Sequence, residues 1–155
     1  MSYTITGLDP KQFEHLYNAT DDELAALHIK RMVVDGPRFP DRITLKDLPL
    51  GASVLLMNYE HQPVPTPYRS THAIFVAENE REAATYHDEV PQALRDRLLS
   101  LRAFDGAGMI VDAEVVDGKA VEPVIERLFA NPSVAYIHAH NAARGCFAAR
   151  IDRTT

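Results

Sequence analysis

The sequence predicts an α+β fold: a mainly antiparallel sheet with helices packed on one face, ending in a C-terminal β-hairpin. Three observations carry that prediction. Strand-length apolar runs outnumber helical stripes, and hairpin-length connections outnumber the longer crossovers of βαβ units. Segment 134–152 also reads as two strands around a polar turn. With 155 residues the chain fits a single domain, residues 1–155, around one sizeable core.

The elements follow in chain order. Tyr3 and Ile5 alternate with threonines and predict a short strand. Asp9 before Pro10 gives an N-cap with proline at the first helical position, and Phe13, Leu16 and Tyr17 follow at helical spacing. Thr20-Asp-Asp-Glu23 matches a capping box, with acids suited to a helix N-terminus and Leu24 and Leu27 facing the core. A strand is expected over 29–34, and residues 35–51 are rich in Gly and Pro turns. "ASVLLM" at 52–57 and "HAIFVA" at 72–77 are continuous apolar runs of strand length, which implies burial on both faces. Pro91 opens a helix carrying Leu94, Leu98 and Leu101. "RAF" and "MIVDAEVV" predict two strands across the turn Asp105-Gly-Ala-Gly108. Val121, Val124, Ile125, Leu128 and Phe129 form the best helical stripe in the chain, and Asn131-Pro132 ends it.

Composition excludes several function classes. Hydrophobic residues make up 46% and charged ones 25%, which is ordinary for a folded globular chain. A net charge of −6, with no basic run longer than Lys30-Arg31, lacks the clustered cations that nucleic acid requires. No stretch approaches the ~20 apolar residues of a membrane span, and "MSYTITGLDP" lacks the pattern of a secretion signal. The one cysteine, Cys146, cannot form an internal disulfide. These features lead us to expect a cytoplasmic protein with no nucleic-acid or membrane partner.

The segment "HAHNAARGC", residues 138–146, concentrates chemistry in the last hairpin. A loop over Asn141–Gly145, with Gly145 in the left-handed conformation, sets His140 opposite Cys146, His138 opposite Ala148 and Tyr136 opposite Arg150. The other face then pairs Ala139 with Phe147, Ile137 with Ala149 and Ala135 with Ile151, all apolar and suited to the core. His138 and His140 would stand about 6.6 Å apart on one face, with Cys146 about 4.5–5.5 Å across from His140. Three readings follow. The pair of histidines and the thiolate could ligate a transition metal such as zinc. His140 could instead activate Cys146 as a nucleophile. The plain alternative is a half-exposed polar sheet face or an unspecified ligand pocket. It is preferred, because short His and Cys patterns recur by chance, and the expectation is accordingly no cofactor.

A second concentration flanks "NYEHQPVPTPYRST", residues 58–71, read as a long proline-stiffened loop between two strands. Tyr59, Glu60, His61, Arg69 and His72 at its ends could wall a pocket for a small anion. Glu60 pairing with Arg69 is the structural alternative. Asp105-Gly-Ala-Gly108 lacks the Lys and Ser/Thr of a phosphate loop, and Asp112 and Glu114 read as a solvent face.

"LLMNYEHQP", "PYRSTHAIFV", "LLSLRAFD" and "VAYIHAHNAARGCFAARI" together resemble a bacterial domain-of-unknown-function family, number twelve-oh-three. The resemblance covers nearly the whole chain. It implies a short bacterial cytoplasmic protein and carries no activity, cofactor or catalytic residue. The functional expectation therefore rests on the residues. A small, anionic ligand would bind between the 58–72 loop and the 134–152 hairpin, held by Tyr59, Glu60, His61, Arg69, His72, Asn141 and Arg144. His138, His140 and Cys146 are the candidates for catalysis or for metal ligation. Whether the chain is an enzyme stays open. The alternatives are a non-enzymatic homodimeric interaction protein and a metal-binding protein built on the His-x-His pair and the cysteine.

Overall fold

The computed structural model describes residues 2–154. The fold is α+β, as the sequence predicts, and the described residues form nine strands in two antiparallel sheets. The N-terminal part contains β1 (Tyr3–Thr6), α1 (Asp21–Ala26), β2 (Lys30–Val33), β3 (Ser53–Gln62), β4 (Ser70–Ala77) and β5 (Thr85–His87). After it come α2 (Gln92–Arg95), β6 (Leu98–Phe104), β7 (Ile110–Asp117), α3 (Glu122–Ala130), β8 (Tyr136–Asn141) and β9 (Phe147–Arg153). Six strands form one sheet in the order β5-β1-β9-β8-β6-β7, and β2-β3-β4 form a second sheet.

The main core lies between α3 and one face of the larger sheet. Val121, Val124, Ile125, Leu128 and Phe129 are buried against Leu99, Leu101 and Ala103 of β6, Ile137 and Ala139 of β8, and Ala149 and Ile151 of β9. The helical period of 3.6 and the strand period of 2 meet here, and each large aliphatic side chain so buried contributes ~1.5–3 kcal/mol. A second cluster packs Phe13, Leu16, Tyr17 and Leu24 against Leu55 and Met57 of β3 and Ile74 and Val76 of β4. The capping box is present: Thr20 Oγ accepts from Glu23 N at 3.1 Å, and Glu23 Oε1 accepts from Thr20 N at 3.1 Å.

Leu27, expected to face the core beside Leu24, is 58% exposed because α1 ends at Ala26 and turns it outward, and four further local expectations differ from the structure. The helix opened by Pro91 lasts one turn, Gln92–Arg95, and Leu98 and Leu101 belong to β6. Leu99, Leu101 and Ala103 bury alternately, and β7 and β8 pair on either side, so the ladder outcompetes helical spacing. Phe13, Leu16 and Tyr17 are positioned by two short 3-10 turns, Pro10–Gln12 and Glu14–Leu16. The proline loop shrinks to residues 63–69, because 58–62 and 70–71 extend the two flanking strands into one long hairpin. Finally, the last hairpin pairs Tyr136 with Asp152, His138 with Arg150 and Ala139 with Ala149, then shifts so that His140 faces Phe147. The expected register is thus displaced by two residues over most of its length, which keeps the faces there, and a bulge at Ala148 absorbs the difference, turning Phe147 from the expected core face to the histidine face and Ala148 into the core.

Glu78, just past β4, ties the small sheet together. Arg31 of β2 donates to both its carboxylate oxygens at 2.9 and 2.7 Å, Ser53 of β3 donates at 2.6 Å, and Asn18 N donates at 3.2 Å. The Arg31 bonds, first among these, hold its carboxyl down at about 2. A carboxyl lowered in the folded state adds stability above its unfolded pKa and loses it as pH falls through the folded value. Glu78→Gln should therefore cost roughly 1–3 kcal/mol at neutral pH in urea unfolding. Its deficit against the wild type should close between about pH 4.5 and pH 2. A deficit that persists unchanged to pH 2 would show that packing, not charge, is responsible.

Candidate functional site

β8 is the strand on which the site is built. All six of its residues are buried. Ile137 and Ala139 point to the α3 core, so alternation sends His138 and His140 to the opposite face. That face is not the half-exposed surface expected from the sequence. His61 of β3 and His72 of β4 stand against it, and His138 and His140 are 2% and 0% exposed.

The four imidazoles form one cluster. The His61–His72, His61–His140, His72–His140 and His61–His138 ring centroids lie 4.8, 5.0, 5.3 and 5.9 Å apart. The bulge at Ala148 places Phe147 under the cluster, parallel to the His61 ring at 5.1 Å and edge-on to His138 at 5.0 Å. Phe104 and Tyr136 close the side of His138. Gln62 at the end of β3 donates to the Tyr136 hydroxyl at 2.8 Å and joins the two sheets beside the histidines.

Hydrogen bonds constrain the imidazole protons. His140 Nδ1 lies 2.9 Å from the Gly145 carbonyl oxygen. A carbonyl only accepts, so Nδ1 carries the proton and Nε2 a lone pair. Gly145 can offer that carbonyl because it closes the hairpin in the left-handed conformation, at φ +79°. His61 Nε2 and His72 Nδ1 share a proton across 2.6 Å. Three buried ring nitrogens keep no partner: His61 Nδ1, His138 Nδ1 and His140 Nε2. One nitrogen each from His61, His138 and His140 lies within 4.8 Å of the others.

Burial, the largest cause, pushes His138 and His140 down to about 3 and His61 to about 4; His72 is lowered for the same reason. The nearby guanidinium of Arg102 adds to the effect at all four. At neutral pH the cluster is therefore uncharged and its lone pairs are available. A cavity of about 200 Å³ opens beside it, lined by His61, His140, Arg102, Arg69, Tyr68 and Phe104 among others.

The other candidates sort differently. Cys146 does not oppose His140. It accepts from Arg42 Nη2 at 3.2 Å and Asn141 Nδ2 at 3.4 Å, on a separate groove of about 820 Å³ that Arg144, Asn141 and His72 also line. Glu60 and Arg69 pair at 2.7 Å on the surface, the structural alternative noted for them. Tyr59 turns to the second core, donating to Gln12 at 2.8 Å. Arg42, Gln62, Arg102 and Phe147 were not singled out from the sequence. Arg102 had one available signal, the alternation of β6. Arg42 had none: it is 2% exposed and donates to the Phe147 and Pro40 carbonyls from a turn-rich segment.

Fold and site together define a two-sheet α+β protein with a buried imidazole cluster where its sheets meet. Residues 38–153 match the model of the family described as "Protein of unknown function (DUF1203)", and the chain belongs to that family. The match contains all four histidines of the cluster. No curated protein and no solved structure matches the chain. No helix of the described residues is long and apolar enough to cross a membrane.

An imidazole lowered in the folded state leaves the unfolded chain binding more protons, so stability falls as pH drops below the unfolded value. The metal-free protein should lose stability progressively from about pH 6.5 toward pH 3. Over about pH 8 to 5 the His138 and His140 ring resonances should hold their neutral positions. Titration of either ring near pH 6.5 would show that the cluster is open to water.

Proposed function

We propose that the protein binds a divalent transition metal ion of the zinc type through His61, His138 and His140. The observation that carries this reading is the convergence of one ring nitrogen from each, within 4.8 Å, in a buried and uncharged site. Metal–nitrogen bonds of ~2.0–2.1 Å set tetrahedral ligands about 3.4 Å apart, so each ring moves inward by less than about 1 Å.

Three further features support it. Leaving buried nitrogens unpaired costs about 1–3 kcal/mol each, and an ion would satisfy them. The Gly145 carbonyl fixes His140 as a ligand through Nε2, the outer-shell arrangement typical of metal-bound histidine. His72 can do the same for His61 by accepting from Nε2, which frees Nδ1. Neutral imidazoles suit zinc, copper, iron and nickel rather than magnesium or calcium. Three protein ligands leave a position for an exchangeable group, and the 200 Å³ cavity supplies the room. The ligand pocket expected between the 58–72 segment and the last hairpin is, on this reading, that cavity. Cys146 is not a ligand.

Titrating metal-free protein with Co(II) or Zn(II) should give one site per chain and raise the unfolding free energy by about 2.7 kcal/mol at a hundredfold excess over Kd. Alanine at His61, His138 or His140 should each abolish the site, His72→Ala should weaken it by roughly 10–100-fold, and Cys146→Ser should leave it unchanged. No binding by the wild type, or binding untouched by the combined His138→Ala and His140→Ala changes, would refute the proposal.

A further inference from the structure

We infer that the group completing this centre is a small anion bearing two oxygens on one atom, a carboxylate or an inorganic oxyanion, bridged between the metal and Arg102. The inference rests on the metal reading above and names what that site would hold.

Arg102 lies on β6 with its Cα paired to that of His138, so the two side chains share a face of the sheet. It lines the 200 Å³ cavity together with His61 and His140. It is half-buried, yet makes no ion pair among the described residues. Its single hydrogen bond runs from Nε to Ser100 Oγ at 3.4 Å, which leaves both terminal nitrogens of the fork without a partner. Arg69 on the same cavity is already held by Glu60. Arg102 is thus a guanidinium directed to a pocket that offers it no counter-charge.

Metal chemistry makes that arrangement informative. Three neutral imidazoles leave a divalent ion with its full charge, and a guanidinium beside it repels it. A bound anion reverses the balance, with one oxygen on the metal and another on the guanidinium fork, which matches carboxylate and oxyanion geometry. The cavity has room for a small anion beside the metal, since a single water claims about 30 Å³. Tyr68 and Phe104, packed edge to face, form an aromatic wall of the cavity.

The experiment uses the full chain loaded with Co(II), whose visible spectrum reports the fourth ligand, and acetate, hydrogencarbonate and phosphate as probes. At least one anion should shift the spectrum saturably and raise the wild-type affinity for Co(II) by roughly tenfold, because linkage is reciprocal. Arg102→Gln should lose that gain and, without anion, bind Co(II) at least as tightly as the wild type. Arg102→Lys keeps the charge and loses the fork, so its gain should fall severalfold; it serves as the test if the Gln variant does not fold. A response to acetate and hydrogencarbonate alone identifies a planar carboxylate-type ligand, and a response to phosphate a tetrahedral one. Co(II) binding with no response to any of the three anions overturns the inference and leaves the metal centre standing. So does an unchanged response in both Arg102 variants. Absence of Co(II) binding in the wild type removes both.

Discussion

The burial of strand β8 on both faces is the constraint on which the rest of the structure depends. A strand at the surface of a two-layer protein can leave one face in water. Here α3 covers the Ile137 and Ala139 side, and the β3–β4 hairpin covers the His138 and His140 side. Two imidazoles are thereby held in a place where their charged form is strongly disfavoured. The surroundings answer part of that problem: the Gly145 carbonyl accepts a hydrogen bond from His140, and His61, His72 and aromatic rings pack around the pair, while His138 Nδ1 and His140 Nε2 keep no partner.

The irregular features of the last hairpin belong to the same solution. The bulge at Ala148 brings Phe147 opposite His140 and beneath His61. The loop from Asn141 to Cys146 closes through Asn141 N to the Cys146 carbonyl and Gly145 N to the Asn141 carbonyl, at 2.9 and 2.7 Å. That closure aims the Gly145 carbonyl at His140 Nδ1. It also sends Cys146 to the other side of the hairpin end, where Arg42 and Asn141 meet the sulfur. One loop thus separates two chemistries that are adjacent in the sequence.

Much of the fold was legible because its signals are local. The capping box, the α3 stripe, the Asn131-Pro132 stop and the left-handed Gly145 each involve residues within a turn or two. Sequence and structure diverge where two periodicities fit the same residues. Leu94, Leu98 and Leu101 satisfy a helix, while Leu99, Leu101 and Ala103 satisfy a strand, and only the neighbours β7 and β8 decide between them. The segment 58–71 looked like loop because its polar residues and prolines hide a strand pairing that continues to Gln62 and Ser70. The site shows the same division. His61, His72, His138 and His140 stood out by residue type, whereas Arg102 and Phe147 looked like ordinary strand residues.

By itself the sequence determined the elements whose causes are short-range: the class of fold, the stop of α3, the hairpin turn, and the face of β8 that must be apolar. Only the tertiary structure decided what lies against the other face. The docking of the β3–β4 hairpin on β8 joins residues far apart in the chain, as in the bond from Gln62 to Tyr136, 74 positions away. No local pattern encodes such contacts, because they are selected by packing and desolvation across the whole chain. The same docking removes water from His138 and His140, turning an apparently ordinary polar strand face into a buried, uncharged cluster of imidazoles.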